Sequence, residues 1–324
     1  MLASVMRIVV ASVLAGGLAL SWAGGIAHAQ DAKLLRIIVP FQAGGQQDVI
    51  ARHLAAELTP RLGATVIVEN RPGASGMLAA EQLAKMPGDG SALMMTTGGA
   101  ISIAPHLYPK LPYDPVKDFA PVAMIADIPM SVVVRSESPF KRLDDLVREA
   151  KARPGQITVA NTGQGSISHL TTELFAQRAG IKLLPVPYKG VGAIQDLVGG
   201  QVDVLMVSAV SVEALVESRK VRVLGTFTTS RLPKVGDAPT VAEALGLQGL
   251  EFPVWVGLLA PAATPAATLA RLGGELVAAC NAPSTQQKFK DIISCRPGPA
   301  FGRVIDEDRV RWGETIRNAG IKAD

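Results

Sequence analysis

The chain has 324 residues, a formal net charge of +4 and a hydrophobic fraction of 48%, the composition of a packed globule. Aromatic residues make up only 4%, which argues against carbohydrate platforms and nucleic-acid stacking surfaces, since both rely on exposed rings. Lys and Arg are spread along the chain, so no basic face for nucleic acid is expected.

Residues 1–29 read as an export signal: Arg7 comes first, then an apolar run over residues 8–20, then Ala27-His28-Ala29 as a small-x-small cleavage site. A transmembrane helix is the competing reading, but the apolar run is short and interrupted by glycine. Processing places the mature start near Gln30 and a soluble product in the periplasm. Enough chain remains for two lobes at about 100 to 200 residues per domain.

Short β-branched runs alternate with amphipathic segments, which predicts α/β lobes on mainly parallel sheets. Strands are expected at 35–39, 65–68, 92–96, 131–134, 157–160, 183–187, 204–207, 221–226 and 254–259. Apolar stripes predict helices at 49–58, 143–152, 169–179 and 304–319. The stretch IIVPFQAGGQQDVI at 37–50 is the most informative: an apolar strand runs into Gly44-Gly45 and then directly into a helix. Glycine there permits positive φ and close approach of a ligand to backbone N–H groups, and a helix start attracts negative charge without a cation.

The plan recurs at 70–77, 97–101, 161–168, 188–193 and 208–212, all after strands and all rich in Gly, Ser and Thr. One such loop is an ordinary turn or helix cap in a doubly wound fold. Six in series point to a small carboxylate held by hydrogen bonds at the carboxyl ends of strands. Gly163-Gln164-Gly165 lacks the third glycine and the downstream acid of a dinucleotide fingerprint, and no GxxxxGK[ST] motif occurs. The histidines of the mature chain, His53, His106 and His169, are isolated, so neither metal nor cofactor is expected. An exported hydrolase would have to use Ser166 or Ser168 with His169. Ser168 and His169 are neighbours on a helix start, so their side chains point about 100° apart, and no GxSxG elbow is present. Cys280 and Cys295, fifteen positions apart in an oxidising compartment, are either a structural disulfide or two free thiols.

Several stretches in order along the whole length carry a resemblance: RIIVPFQAGGQQDVIARHLA from Arg36, VIVENRPGASGMLAAEQLAK from Val66, APHLYPKLPYDPVKDFAPVAMIA from Ala104, VPYKG from Val186, GGQVDVLM from Gly199, DAPTVAEALGL from Asp237, WVGLLAPAATP from Trp255, and RWGETIRNAGIKAD at the end. The chain resembles the substrate-binding proteins of tripartite tricarboxylate transporters, the Bug family of periplasmic receptors. The resemblance implies a type II periplasmic-binding-protein fold, two α/β lobes joined by a double crossover with a cleft between them. The crossovers fall near Asp127–Pro129 and Phe252–Trp255, so residues 30–128 and 254–324 form lobe one and residues 129–253 lobe two. It also implies a small organic acid as ligand, held through amides, hydroxyls and water, and integral-membrane permease subunits as partners of a monomeric receptor. A sensor kinase is the alternative partner.

Carried over by position, Phe41, Gly44 and Gly45 line one wall, with Ala74, Ser75, Thr97 and Gly98 beside them. Thr162, Gly163 and Ser166 face them from lobe two, with Tyr188 and Lys189 at the rim. Asp48 is read as a helix N-terminal cap and Asp203 as structural. Three departures bear on specificity. Gln46-Gln47 replaces the usual small pair after the glycines, with Gln46 expected among the ligand contacts, and the loop after Gly190 is short and carries Gly192. Val207-Ser208 stands where many members carry Asp followed by Ser or Asn. A buried ammonium needs compensation, so Val207 predicts a ligand without an amine.

Overall fold

The computed structural model describes residues 34–188, 192–252, 254–290 and 292–322. The expected export segment and Lys189 lie outside the described residues. From Leu34 onward the chain forms one compact unit built on two sheets.

The first sheet contains β1 (Leu34–Val39), β2 (Thr65–Asn70), β3 (Ala92–Thr96), β4 (Phe119–Ile128), β10 (Val254–Pro261) and β11 (Ile293–Pro297), in the order β11-β4-β10-β3-β1-β2. The second contains β5 (Met130–Arg135), β6 (Thr158–Asn161), β7 (Leu184–Pro187), β8 (Val204–Ser208) and β9 (Val221–Thr226), in the order β7-β6-β8-β5-β9. The chain passes from the first sheet to the second at Pro129, between β4 and β5, and returns between β9 and β10.

The expectation of mainly parallel sheets needs correction. β1 runs parallel to β2 and β3, and β6 runs parallel to β7 and β8. The strands at the two passages, β4, β5, β9 and β10, make antiparallel ladders with their neighbours, as does β11. A strand that leaves one sheet to enter another has no crossover helix to reverse it, so it pairs against its neighbours.

β4 and β11 escaped the sequence reading. Pro121 lacks an N–H and argues against a central strand. It is accommodated opposite Leu259, at a register shift in the β4–β10 ladder. β11 is short and irregularly paired to β4, and Cys295 within it is joined to Cys280, with Cα atoms 6.0 Å apart. That bridge closes a fifteen-residue separation, constraining the unfolded chain by about 3 kcal/mol in the entropy model.

The principal helices are α1 (Gln46–Leu62), α2 (Met77–Ala84), α3 (Leu143–Ala152), α4 (Ile167–Ala179), α5 (Gly192–Gly199), α6 (Ala266–Cys280) and α7 (Gly298–Ala319). α1 buries Ile50, Leu54 and Leu58 on one stripe and ends at Gly63, whose φ of 58° suits glycine. Both sheets share one apolar cluster, which takes in Ile37 and Leu258 from the first, Val132 and Met206 from the second, and Leu54 and Leu170 from the helices α1 and α4 that cover them. Separate clusters cover the other face of each sheet. Within the shared cluster a line of rings runs from Phe175 on α4 through Phe227 and Phe252 to Trp312 on α7, with centroids 6.1, 5.8 and 5.3 Å apart. Gln177 donates to the Thr315 carbonyl beside this seam at 3.2 Å. Among the described residues, no helix is long and apolar enough to cross a membrane.

Candidate functional site

A cavity of about 440 Å³ opens where the loops after β1, β2, β3, β6 and β8 converge. Its floor is apolar: Ile128 and Val254 come from the first sheet, and Met130 and Val207 from the second. Three helices of two or more turns start at its edge, with Gln47 of α1, Gly76 before α2 and Ser166 before α4 among its lining. Their N-terminal dipoles favour an anion. Among the described residues no charged side chain lines the cavity.

The loop after β1 differs from expectation. The Gly44 amide donates to Asp48 Oδ2 at 2.9 Å, and the Gly45 amide donates to the Gln42 carbonyl at 3.2 Å. Both amides are therefore taken by the loop itself, and neither glycine lines the cavity. Asp48 is not an N-cap, a position that Gly45 occupies without a side-chain bond. It is the third residue of α1 and a buried hub. Arg52 Nε donates to it at 3.0 Å and Asn70 Nδ2 at 2.8 Å, while Asn70 also holds the Phe41 carbonyl at 3.2 Å. Bonding to Arg52, aided by the Gly44 amide and Asn70, lowers the Asp48 pKa to about 2. The network locks the loop to the end of β2 and presents Phe41 and Gln47 to the cavity. Gln46, the glutamine singled out from sequence, lies outside the lining.

The loop after β2 carries the strain. Ala74 and Ser75 have φ of 47° and 52°, followed by Gly76 at 94°. Left-handed conformation costs a residue with a Cβ about 1–2 kcal/mol, and such strain concentrates at ligand clamps. Both residues line the cavity and are exposed there. The next turn presses against them, for a Cβ on Gly99 would come within 2.9 Å of the Ser75 carbonyl oxygen.

Thr97 lines the cavity, but Gly98 is set behind it, where a Cβ would fall 2.8 Å from Asp308 Oδ2. Asp308 is buried on α7 and accepts from Trp255 Nε1 at 2.9 Å and Arg311 Nη1 at 3.3 Å. Ser102 and Trp312 are near enough to favour its charged form, yet fall short of hydrogen-bond geometry. Burial dominates and pushes its pKa up to about 6.

On the opposite side Thr162, Ser166 and Ser168 line the cavity. Ser168 Oγ accepts from the Thr162 amide at 2.8 Å and meets Thr162 Oγ1 at 2.9 Å and Ser166 Oγ at 3.1 Å. Ser166 Oγ caps α4 by accepting from the His169 amide. His169 Nδ1 accepts from the Gly165 amide at 3.0 Å, and burial lowers the pKa of the ring. The imidazole is thus engaged with backbone instead of with either serine. Val207 and Ser208 also line the cavity, and the Ser208 hydroxyl is buried with no partner.

Two expected contacts point elsewhere. The Gly163 amide donates to Asn161 Oδ1 at 3.0 Å, and Gly163 is not in the lining. Tyr188 OH donates to Asp196 Oδ2 at 2.7 Å, which turns the ring toward the second sheet. Asp203 accepts from both the amide and the hydroxyl of Thr158, tying the starts of β6 and β8 together. Of the apolar floor, Val207 was already singled out; Ile128 was missed because β4 was missed, and Met130 and Val254 stand at the starts of strands whose ends were not read as part of the site. Gln47 stands one residue beyond the predicted glutamine, and Ser168 and Ser211 lay within loops already marked. Among the described residues no cluster suits a metal ion.

Two α/β layers joined at two passages of the chain, with polar loops of both facing one cavity, define the periplasmic-binding-protein architecture of type II. Residues 50–321 match the family described as "Tripartite tricarboxylate transporter family receptor", and the chain belongs to that family. It is 33% identical to Protein BugT of Bordetella pertussis, over 90% of each chain. Among solved structures it is similar to an R. palustris protein with adipate, at a TM-score of 0.79 and 31% identity over 90% of this chain and 99% of that one. It is also similar to MatC from Rhodopseudomonas palustris with bound malate, at 0.75 and 32% over 87% and 98%.

Proposed function

We propose that this protein is a periplasmic receptor that captures a small organic carboxylate lacking an amine, by closure of lobe two on lobe one, and delivers it to the permease of a tripartite transporter. The observation that carries the reading is a cavity bounded by loops of both sheets and three helix starts, without a charged side chain among its described lining residues. Such a site stabilises a carboxylate through dipoles and hydroxyls, and offers an ammonium group no counter-ion. Relatives solved with adipate and malate support the ligand class. The ligand contacts proposed are Phe41, Gln47, Ala74, Ser75 and Thr97 from lobe one, with Thr162, Ser166, Val207 and Ser208 from lobe two. Lys189 remains a rim proposal. A binding role without turnover fits the engagement of His169 with Gly165.

A thermal-shift screen of refolded mature protein against small organic acids tests the reading. A ligand present at a hundred times its Kd stabilises the fold by about 2.7 kcal/mol, so succinate or adipate should raise the midpoint. Aspartate or glutamate binding better than its deaminated analogue would overturn the amine prediction. Delivery is tested by uptake into vesicles carrying the permease, with and without the receptor. Mass spectrometry of the exported chain should place its start near Gln30.

A further inference from the structure

We infer that the ligand is an acid with an unsubstituted apolar body, aliphatic or aromatic, and that the site selects against the hydroxylated acid of the same length; this rests on the carboxylate reading above.

The floor carries the inference. Ile128, Met130, Val207 and Val254 present only hydrocarbon or thioether side chains, with Phe41 and Ile167 bounding the same space. Part of the backbone beneath them is also engaged, for the Met130 carbonyl accepts from the Phe227 amide at 3.0 Å. Ile128 pairs with Val254 in the β4–β10 ladder, Met130 with Ser208 and Val207 with Ser131 in the β5–β8 ladder. The Ser131 hydroxyl donates to the Val207 carbonyl at 3.0 Å as well. A substituent directed at these four side chains would lose water and find no partner among them.

The polar groups lie around this floor, and their proton inventory suits a carboxylate. Ser168 Oγ already accepts one amide, so its remaining lone pair and its proton serve Thr162 and Ser166, one each. Whichever direction the chain of bonds takes, one proton, on Thr162 or Ser166, points out of the network. The buried Ser208 hydroxyl supplies another donor. On the facing side the Ala74–Ser75 turn presents its backbone to the cavity. Hydroxyl donors on the loops, joined by Ser208 at the end of β8, and hydrocarbon on the other strand ends match an acid group on an apolar body.

Isothermal titration of refolded mature protein with matched pairs tests this: succinate against malate, adipate against 3-hydroxyadipate, benzoate against 3-hydroxybenzoate. The unsubstituted member of every pair that binds should be favoured by about tenfold or more, the loss expected for a buried hydroxyl without a partner. Parity, or preference for the hydroxylated member, overturns the inference and leaves the carboxylate reading standing. No binding by any acid overturns both. Val207→Thr, nearly isosteric, places a hydroxyl on the floor and should narrow the gap several-fold. An unchanged gap in that folded variant removes the floor as the source of selection.

Discussion

Two glycine loops leave neighbouring parallel strands of the same sheet, and they do opposite things. After β1, Gly44 and Gly45 relax the backbone, and Asp48 and Gln42 then take up both amides. After β2, alanine and serine are held in left-handed conformation at the cavity wall. The first loop is a satisfied structural hub that aims two side chains. The second is a strained turn that faces the ligand space. Gly44 eases a bend that the loop itself satisfies, whereas Ala74 and Ser75 are held left-handed where the bend faces the cavity.

The largest test of this contrast is Asp48→Ala. It strips the acceptor from the Gly44 amide, Arg52 and Asn70, and should lower stability by about 3 kcal/mol in urea titration. Its pH dependence is a second readout. The folded pKa of about 2 lies below the ordinary 3.8, so the contribution is complete above pH 3.8 and drains away as pH falls toward 2. The variant should lack that acid limb. If Asp48→Ala is as stable as the parent, the hub reading of the first loop is wrong.

Asp308, behind the third turn, carries the opposite sign. Its folded pKa of about 6 stands above 3.8, so its contribution is full below pH 3.8 and is lost as pH rises through 6. Relative to Asp308→Asn, the parent should lose on the order of 2 kcal/mol between pH 4 and 6.5. A constant difference between the two denaturation curves would contradict this.

The smallest effects separate the loops most cleanly. Gly44→Ala, at φ 81°, should cost about 1 kcal/mol and leave ligand affinity within twofold. Ser75→Gly, at φ 52°, should gain up to about 1 kcal/mol while weakening the ligand several-fold. Paired melting and titration experiments check both. A ligand unaffected by Ser75→Gly but weakened by Gly44→Ala would reverse the assignment.

Much of this was readable in the chain. Most strands, the stripe of α1 and the bounds of α3 followed from hydrophobic periodicity. The loops were marked by small residues. What periodicity could not supply was the use made of each amide. The Gly44 amide is engaged by an aspartate whose orientation depends on Asn70, on a different strand. Tyr188 reads as a rim residue until Asp196, a helical turn into α5, captures its hydroxyl. Of the cavity floor, Ile128 stayed hidden because Pro121 masks β4, and a strand that cannot be seen cannot be followed to its end.

The seam of rings from Phe175 to Trp312 has a consequence for how the molecule comes apart. Since the shared cluster draws on both sheets, neither half has a finished interior when taken alone. Heating should therefore give one calorimetric peak in place of two, with equal calorimetric and van't Hoff enthalpies. A fragment spanning residues 129–253, produced without the rest, would turn Leu170, Phe175 and Phe227 to water and aggregate.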